Sequence, residues 1–159
     1  MPHASLLASV CQKGHYDTAV WLVTNFELPY PRHGQMAIRG ACGAHALRLV
    51  QWLDARYRVD RCEFLLLMES AAGAGDLATM QWLAERFVIE AADVRADDYL
   101  LLDYAREAQH LAMFQWLALH CGLDRPDARK YLNRLRPAAA DPVSEIICWL
   151  REWAAPASA

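Results

Sequence analysis

The sequence predicts an all-α fold made of repeated helix pairs, and three observations predict it. Alanine and leucine supply 50 of the 159 residues, against seven glycines and seven prolines, so local preference leans towards helix along the whole chain. Apolar residues recur at spacings of three and four, as in Leu77, Met80, Trp82, Leu83 and Phe87, which places them on one side of a helix. Finally, Trp21, Trp52, Trp82, Trp116 and Trp149 are each followed by leucine, at intervals of 31, 30, 34 and 33 residues. A period of this length marks stacked helical repeats.

Residues around the Trp-Leu pairs repeat as well. Seven positions before four of the tryptophans stand Gly14, His45, Gly75 and Gln109, a small or polar break ahead of each Trp-containing helix. Five and seven positions after them come Phe26 and Leu28, Tyr57 and Val59, Phe87 and Ile89, then Cys121 and Leu123. The chain therefore divides into units at about 4–30, 35–61, 65–95, 99–126 and 127–154, within one repeat domain spanning 1–159.

Taken in order, the first helix of unit one is Ser5 to Cys11, of unit two Met36 to Cys42, of unit three Leu66 to Ala72 and of unit four Leu100 to Arg106. The first three begin bulky and end in small residues, which lets adjacent helices approach closely. The connectors are expected to be either plain loops or extra helical turn, and in the second case Asp93 to Tyr99 begins a longer helix running into Leu100 to Leu102. Unit five is less regular: its first helix is expected from Asp127 to Arg136, stopped by Pro137, and Ser144 is placed to cap a last helix through Trp153. The tryptophans are expected to form the core ladder.

Ser5 to Val23, with its Gly14-His15 turn, resembles the ankyrin repeat, as does Ala71 to Leu83 with Gly75-Asp76. With the weaker units the resemblance covers residues 5 to about 153, and the Trp-Leu form is similar to divergent ankyrin repeats of microbial and viral proteins. It implies an ankyrin-like solenoid of about five helix-turn-helix units, with His15 and His110 bonding backbone in the turns. No unit carries the family's Thr-Pro-Leu-His tetrapeptide. Its glycine after the second helix is replaced by Phe26, Tyr57, Phe87 and Cys121, so the β-hairpin fingers are expected to be reduced or absent.

Other features limit the function classes. A net charge of −3 lacks the electrostatic footprint of a nucleic-acid binder, and no apolar run approaches the roughly 18 residues of a membrane span. Five dispersed cysteines without a CxxC fit reduced thiols in the cytoplasm, or in a host cytosol for an effector. The first unit starts almost at Met1 without a polar cap, which suggests a piece of a longer protein. No glycine loop, GxSxG or HExxH occurs. Cys11 with His15, Cys42 with His45, and His120-Cys121 could form a thiolate–imidazole pair or a zinc site, but Cys11 and Cys42 share a small repeat position with Ala72 and read as core residues.

The expected function is that of a monomeric protein-interaction module without catalysis, cofactor or metal, holding a protein partner on its concave face. On the family's pattern the contact residues are Gln12, Lys13, Tyr30, Arg32, His33, Arg39, Arg58, Arg61, Glu69, Arg95, Asp97 and Glu107. The alternative is the substrate-recognition domain of a larger enzyme or secreted microbial effector; a small Cys/His enzyme or metal protein is the third reading. Two charge blocks, an acidic one from Glu90 to Asp103 and a basic one from Arg125 to Arg136, are merely solvated, pair with each other, or form a bipolar rim that orients a charged partner.

Overall fold

The structure, a computed structural model, describes residues 2–28, 34–135 and 144–155. These residues form eleven α-helices and one 3-10 turn, without a strand among them, as the composition requires. No described helix is long and apolar enough to cross a membrane. The chain divides into two compact units, Met1–Val88 and Ile89–Ala159, so the boundary falls inside 65–95, the third unit expected from the sequence.

The first unit holds α1 (Pro2–Gln12), α2 (Tyr16–Asn25), α3 (Gly34–Gly43), α4 (Leu47–Tyr57), α5 (Arg61–Ala74) and α6 (Leu77–Phe87). Each odd-numbered helix packs on the even-numbered helix that follows, and α3 lies between α1 and α5. The small residues explain this close approach: Ala37, Ala41, Cys42, Ala71 and Ala72 are fully buried. A Cβ on Gly40 would come within 3.3 Å of the Ala8 carbonyl oxygen.

One turn geometry joins the members of each pair. His15, Ala46 and Asp76 donate their N–H to the carbonyls of Val10, Ala41 and Ala71 at 3.2, 3.2 and 3.0 Å. The preceding Gly14, His45 and Gly75 adopt φ of 68°, 54° and 71°, the left-handed helix ending expected of glycine. The break seven residues before Trp21, Trp52 and Trp82 is thus a backbone requirement. Of the turn side chains, Asp76 caps α6, accepting from Thr79 N–H at 3.1 Å and from the Thr79 hydroxyl at 2.5 Å. The expected histidine bonds are not made: neither His15 nor His110 caps its helix with its side chain.

The tryptophans are not the core ladder. Trp21 is 57% exposed and the other four of the series are half-buried, whereas the leucine after each and the residue two before it are buried: Ala19 and Leu22, Val50 and Leu53, Met80 and Leu83, Phe114 and Leu117, Ile147 and Leu150. Those two positions are three apart and share a helix face; the Trp between them points aside. Trp52 meets Tyr16 of α2 and Trp149 meets Phe114, with ring centroids 6.3 and 6.1 Å apart, whereas Trp116 stacks on His120 of its own helix.

At the ends of α4 and α6 the left-handed residue follows Tyr57 and Phe87. Arg58 and Val88 take φ of 55° and 53° and close α4 and α6 by bonds to Asp54 and Ala84 carbonyls. α2 instead ends on extended Phe26.

The second unit holds α7 (Ala91–Arg95), a 3-10 turn (Ala96–Asp98), α8 (Leu100–Glu107), α9 (Leu111–His120), α10 (Arg125–Arg134) and α11 (Glu145–Ala154). Helices α8 and α9 pair, as do α10 and α11, and α11 also meets α9. The long helix expected from Asp93 does not form, because Asp97, Asp98 and Tyr99 turn left-handed in succession, with φ of 46°, 57° and 67°. α10 starts at Arg125, earlier than expected, because Asp124 caps it: Asp124 Oδ1 accepts from Asp127 N–H at 2.9 Å, and Asp127 Oδ2 from Asp124 N–H at 3.1 Å. Ser144 does precede α11, but its hydroxyl donates to Gln109 Oε1 at 3.1 Å rather than capping the helix. The expected stop at Pro137 lies outside the described residues.

Candidate partner-binding face

In α3 the buried residues Ala37, Ile38, Ala41 and Cys42 recur with the period of one helix side, which leaves Met36, Arg39 and Gly43 on the other. The same logic in α5 buries Leu67, Met68, Ala71 and Ala72 and leaves Leu66 39% exposed. These outward residues line two adjoining depressions. A groove of about 430 Å³ runs between Gln12, Met36, Arg39, Gly40, Gly43 and Ser70. A narrower cleft of about 70 Å³ between α3 and α5 shares Met36 and Arg39 and adds Gln35, Ile38, Glu63, Leu66 and Leu67. Met36 is 63% exposed, unusual for a large apolar side chain.

Glu63 is the charged group most deeply set in that cleft. Its Oε1 accepts from Gln35 Nε2, while Oε2 is buried and has no hydrogen-bond donor. Burial pushes its carboxyl above the usual range.

In the second unit the two charge blocks pair with each other. Arg95 Nε and Nη2 donate to Asp127 Oδ1 and Oδ2 at 2.9 and 2.6 Å, and the Tyr99 hydroxyl donates to Oδ1 at 2.8 Å. Asp103 accepts from the Tyr131 hydroxyl at 2.7 Å and from Arg134 Nη2 at 2.5 Å. Arg106, at the repeat position held elsewhere by Cys11, Cys42 and Ala72, donates from Nε to the Tyr131 hydroxyl at 3.2 Å. The Arg95 guanidinium holds the Asp127 carboxyl well below its ordinary value. Burial, with the bond to Asp127, pushes the Tyr99 phenol up to about 12.

The three cysteines nearest histidines in sequence, Cys11, Cys42 and Cys121, are buried. Burial pushes each thiol up to about 12, with Asp76 adding to the effect at Cys42 and Asp93 at Cys121. An activated thiol is shifted the opposite way. Among the described residues no three His, Cys, Asp or Glu side chains gather to hold a metal.

Of the twelve residues expected to contact a partner, the structure brings Gln12 and Arg39 to one groove, with Lys13 exposed in the turn just after Gln12 and Glu69 half-buried beside Ser70. Arg58 is exposed at the end of α4. Arg61 opens α5 and its Nη1 donates to the Phe87 carbonyl at 2.8 Å. Arg95, Asp97 and Glu107 belong to the second unit; Arg95 is engaged with Asp127, Glu107 accepts from Arg106 Nη2 at 3.1 Å, and Asp97 is exposed in the break before α8. Tyr30, Arg32 and His33 lie outside the described residues. Sequence reasoning missed Gln35, Met36, Glu63 and Leu66. The burial period of α3 and α5 would have found Met36 and Leu66, had the bulky start of each first helix not been read wholly as core.

The fold and this face define an all-α protein of paired helices with one partly apolar exposed helix face. Comparison with family models, with curated proteins and with solved structures finds no match to the chain.

Proposed function

We propose that the chain is a non-catalytic protein-interaction module of ankyrin-like repeats, working as a monomer in the cytosol, and that it holds a protein partner on the exposed face of α1, α3 and α5. One observation carries the reading: exposed Met36 and Arg39 line one groove together with Gln12. Methionine and arginine are enriched at the centres of protein contacts, where one supplies adaptable apolar area and the other directed hydrogen bonds. The recurrent turn at Gly14, His45, Gly75 and Gln109 and the paired buried positions flanking each tryptophan support the repeat assignment.

The test is capture from an extract of the source cells by the immobilised chain. M36D and R39E, both on exposed positions, are expected to abolish capture while leaving the thermal unfolding midpoint within about 2 °C of wild type. K130E, in the second unit, is expected to retain it. Capture of the same proteins by M36D and R39E at wild-type levels overturns the face.

A further inference from the structure

We infer that the cleft between α3 and α5 receives a lysine side chain of a protein partner, its ammonium group meeting the Glu63 carboxylate; this rests on the proposed interaction function and specifies the partner's chemistry. Glu63 is only 8% exposed. It occupies the third position of α5, where a glutamate ordinarily reaches back to the N-cap N–H. Asp60 does cap the helix, its Oδ1 accepting from Glu63 N–H at 3.0 Å. The Glu63 carboxylate, however, turns to Gln35 on α3, and that contact occupies Oε1 alone. Oε2 is left enclosed without a donor in the wall of a mostly apolar cleft, an arrangement that disfavours the charged carboxylate until a donor arrives.

Charge complementarity calls for a cation, and the shape selects which one. Met36, Ile38, Leu66 and Leu67 offer a narrow apolar lining suited to an unbranched four-carbon stem, with a compact ammonium at its tip. A guanidinium would present a planar fork to a carboxylate with only one open oxygen. Among the described residues no cation fills this role. Arg39 lines the cleft but is exposed to solvent and makes no ion pair with Glu63, and Arg61 directs Nη1 to the Phe87 carbonyl.

The probe is a random dodecapeptide library displayed on phage and selected on the immobilised full chain, with selected peptides resynthesised carrying norleucine or arginine in place of lysine. On wild type, the selected peptides are expected to share a lysine, and norleucine is expected to weaken binding at least tenfold, with arginine intermediate. On E63Q, whose fold is checked by circular dichroism, the lysine and norleucine forms are expected to bind within twofold of each other. The norleucine comparison on wild type stands even if E63Q misfolds. Peptides that M36D abolishes but that need no lysine, or a folded E63Q that keeps the preference, overturn this inference alone. Selection of no peptide overturns it together with the interaction face.

Discussion

Arg95 and Asp127, 32 positions apart, join α7 to the start of α10 by two parallel hydrogen bonds of 2.9 and 2.6 Å. Asp127 also accepts from the Tyr99 hydroxyl and from Asp124 N–H, so one carboxylate satisfies three donor groups. The Arg95 side chain is 43% exposed, and solvent weakens its share. The larger loss on substitution falls on the buried tyrosine hydroxyl and the capping bond. D127N is therefore expected to destabilise the protein by about 2 kcal/mol at pH 7. Because folding lowers the Asp127 carboxyl below its unfolded value of about 3.9, the charge-dependent part is fully present above about pH 4 and fades as pH falls towards the folded value. Urea unfolding of both proteins from pH 2 to 8 checks this; an equal gap at pH 2 and pH 7 rules it out.

The approach of α3 to α1 makes two glycines in one helix behave oppositely. A Cβ on Gly40 would lie 2.8 Å from Gln12 Cγ, 3.2 Å from Gln12 N and 3.3 Å from the Ala8 carbonyl oxygen, while one on Gly43 meets nothing within 4 Å. The Gln12 side chain can yield, but the two backbone atoms cannot without separating the helices. G40A is expected to lose about 1 to 2 kcal/mol despite the better helix propensity of alanine, and G43A to gain up to about 1 kcal/mol. Paired urea titrations decide it, and a gain in both would mean that α1 is not pressed against Gly40.

The all-α class and the positions of the helix pairs were legible because they rest on local signals: alanine and leucine content, the three-and-four spacing, and a turn whose left-handed residue recurs at Gly14, His45, Gly75 and Gln109. Which side of each helix faces inward was less legible. Trp is the most conspicuous letter of the repeat, yet Leu22, Leu53, Leu83, Leu117 and Leu150 carry the burial, since a period marks position without marking direction. The helix break at Asp97 to Tyr99 depended on Tyr99 donating to Asp127, a long-range bond that no local pattern announces. Arg39 and Gln12 were found as exposed repeat positions. Glu63 was missed because its sequence context, three residues after Asp60, reads as an ordinary capping pattern; only the position of Gln35 on the adjacent helix diverts it.

Burial of the thiols gives a direct chemical contrast. A thiol at about 12 is ionised to about one part in ten thousand at pH 8, against roughly a quarter for a free cysteine. In a C62S background, Cys148, which is exposed, is expected to react with a disulfide reagent in seconds. Cys11, Cys42 and Cys121 are expected to react at least 100-fold more slowly until denaturant is added. Rapid native modification of Cys11 or Cys42 would revive the thiolate–imidazole reading.

Val88 offers a test of the helix ending that replaces glycine. It closes α6 with φ of 53° and is 67% exposed, so its β-branched side chain strains the backbone while burying little. Glycine at this position relieves the strain but adds freedom to the unfolded chain, and the two effects oppose each other. The strain is the larger, because left-handed backbone costs a β-branched residue more than glycine loses in entropy. V88G is expected to stabilise the protein by about 0.5 to 1 kcal/mol. V88A removes the branch but keeps a Cβ in the left-handed region, so it should fall between wild type and V88G. Urea unfolding of the three proteins gives the order, and a V88G less stable than V88A would show that α6 does not end on a left-handed residue.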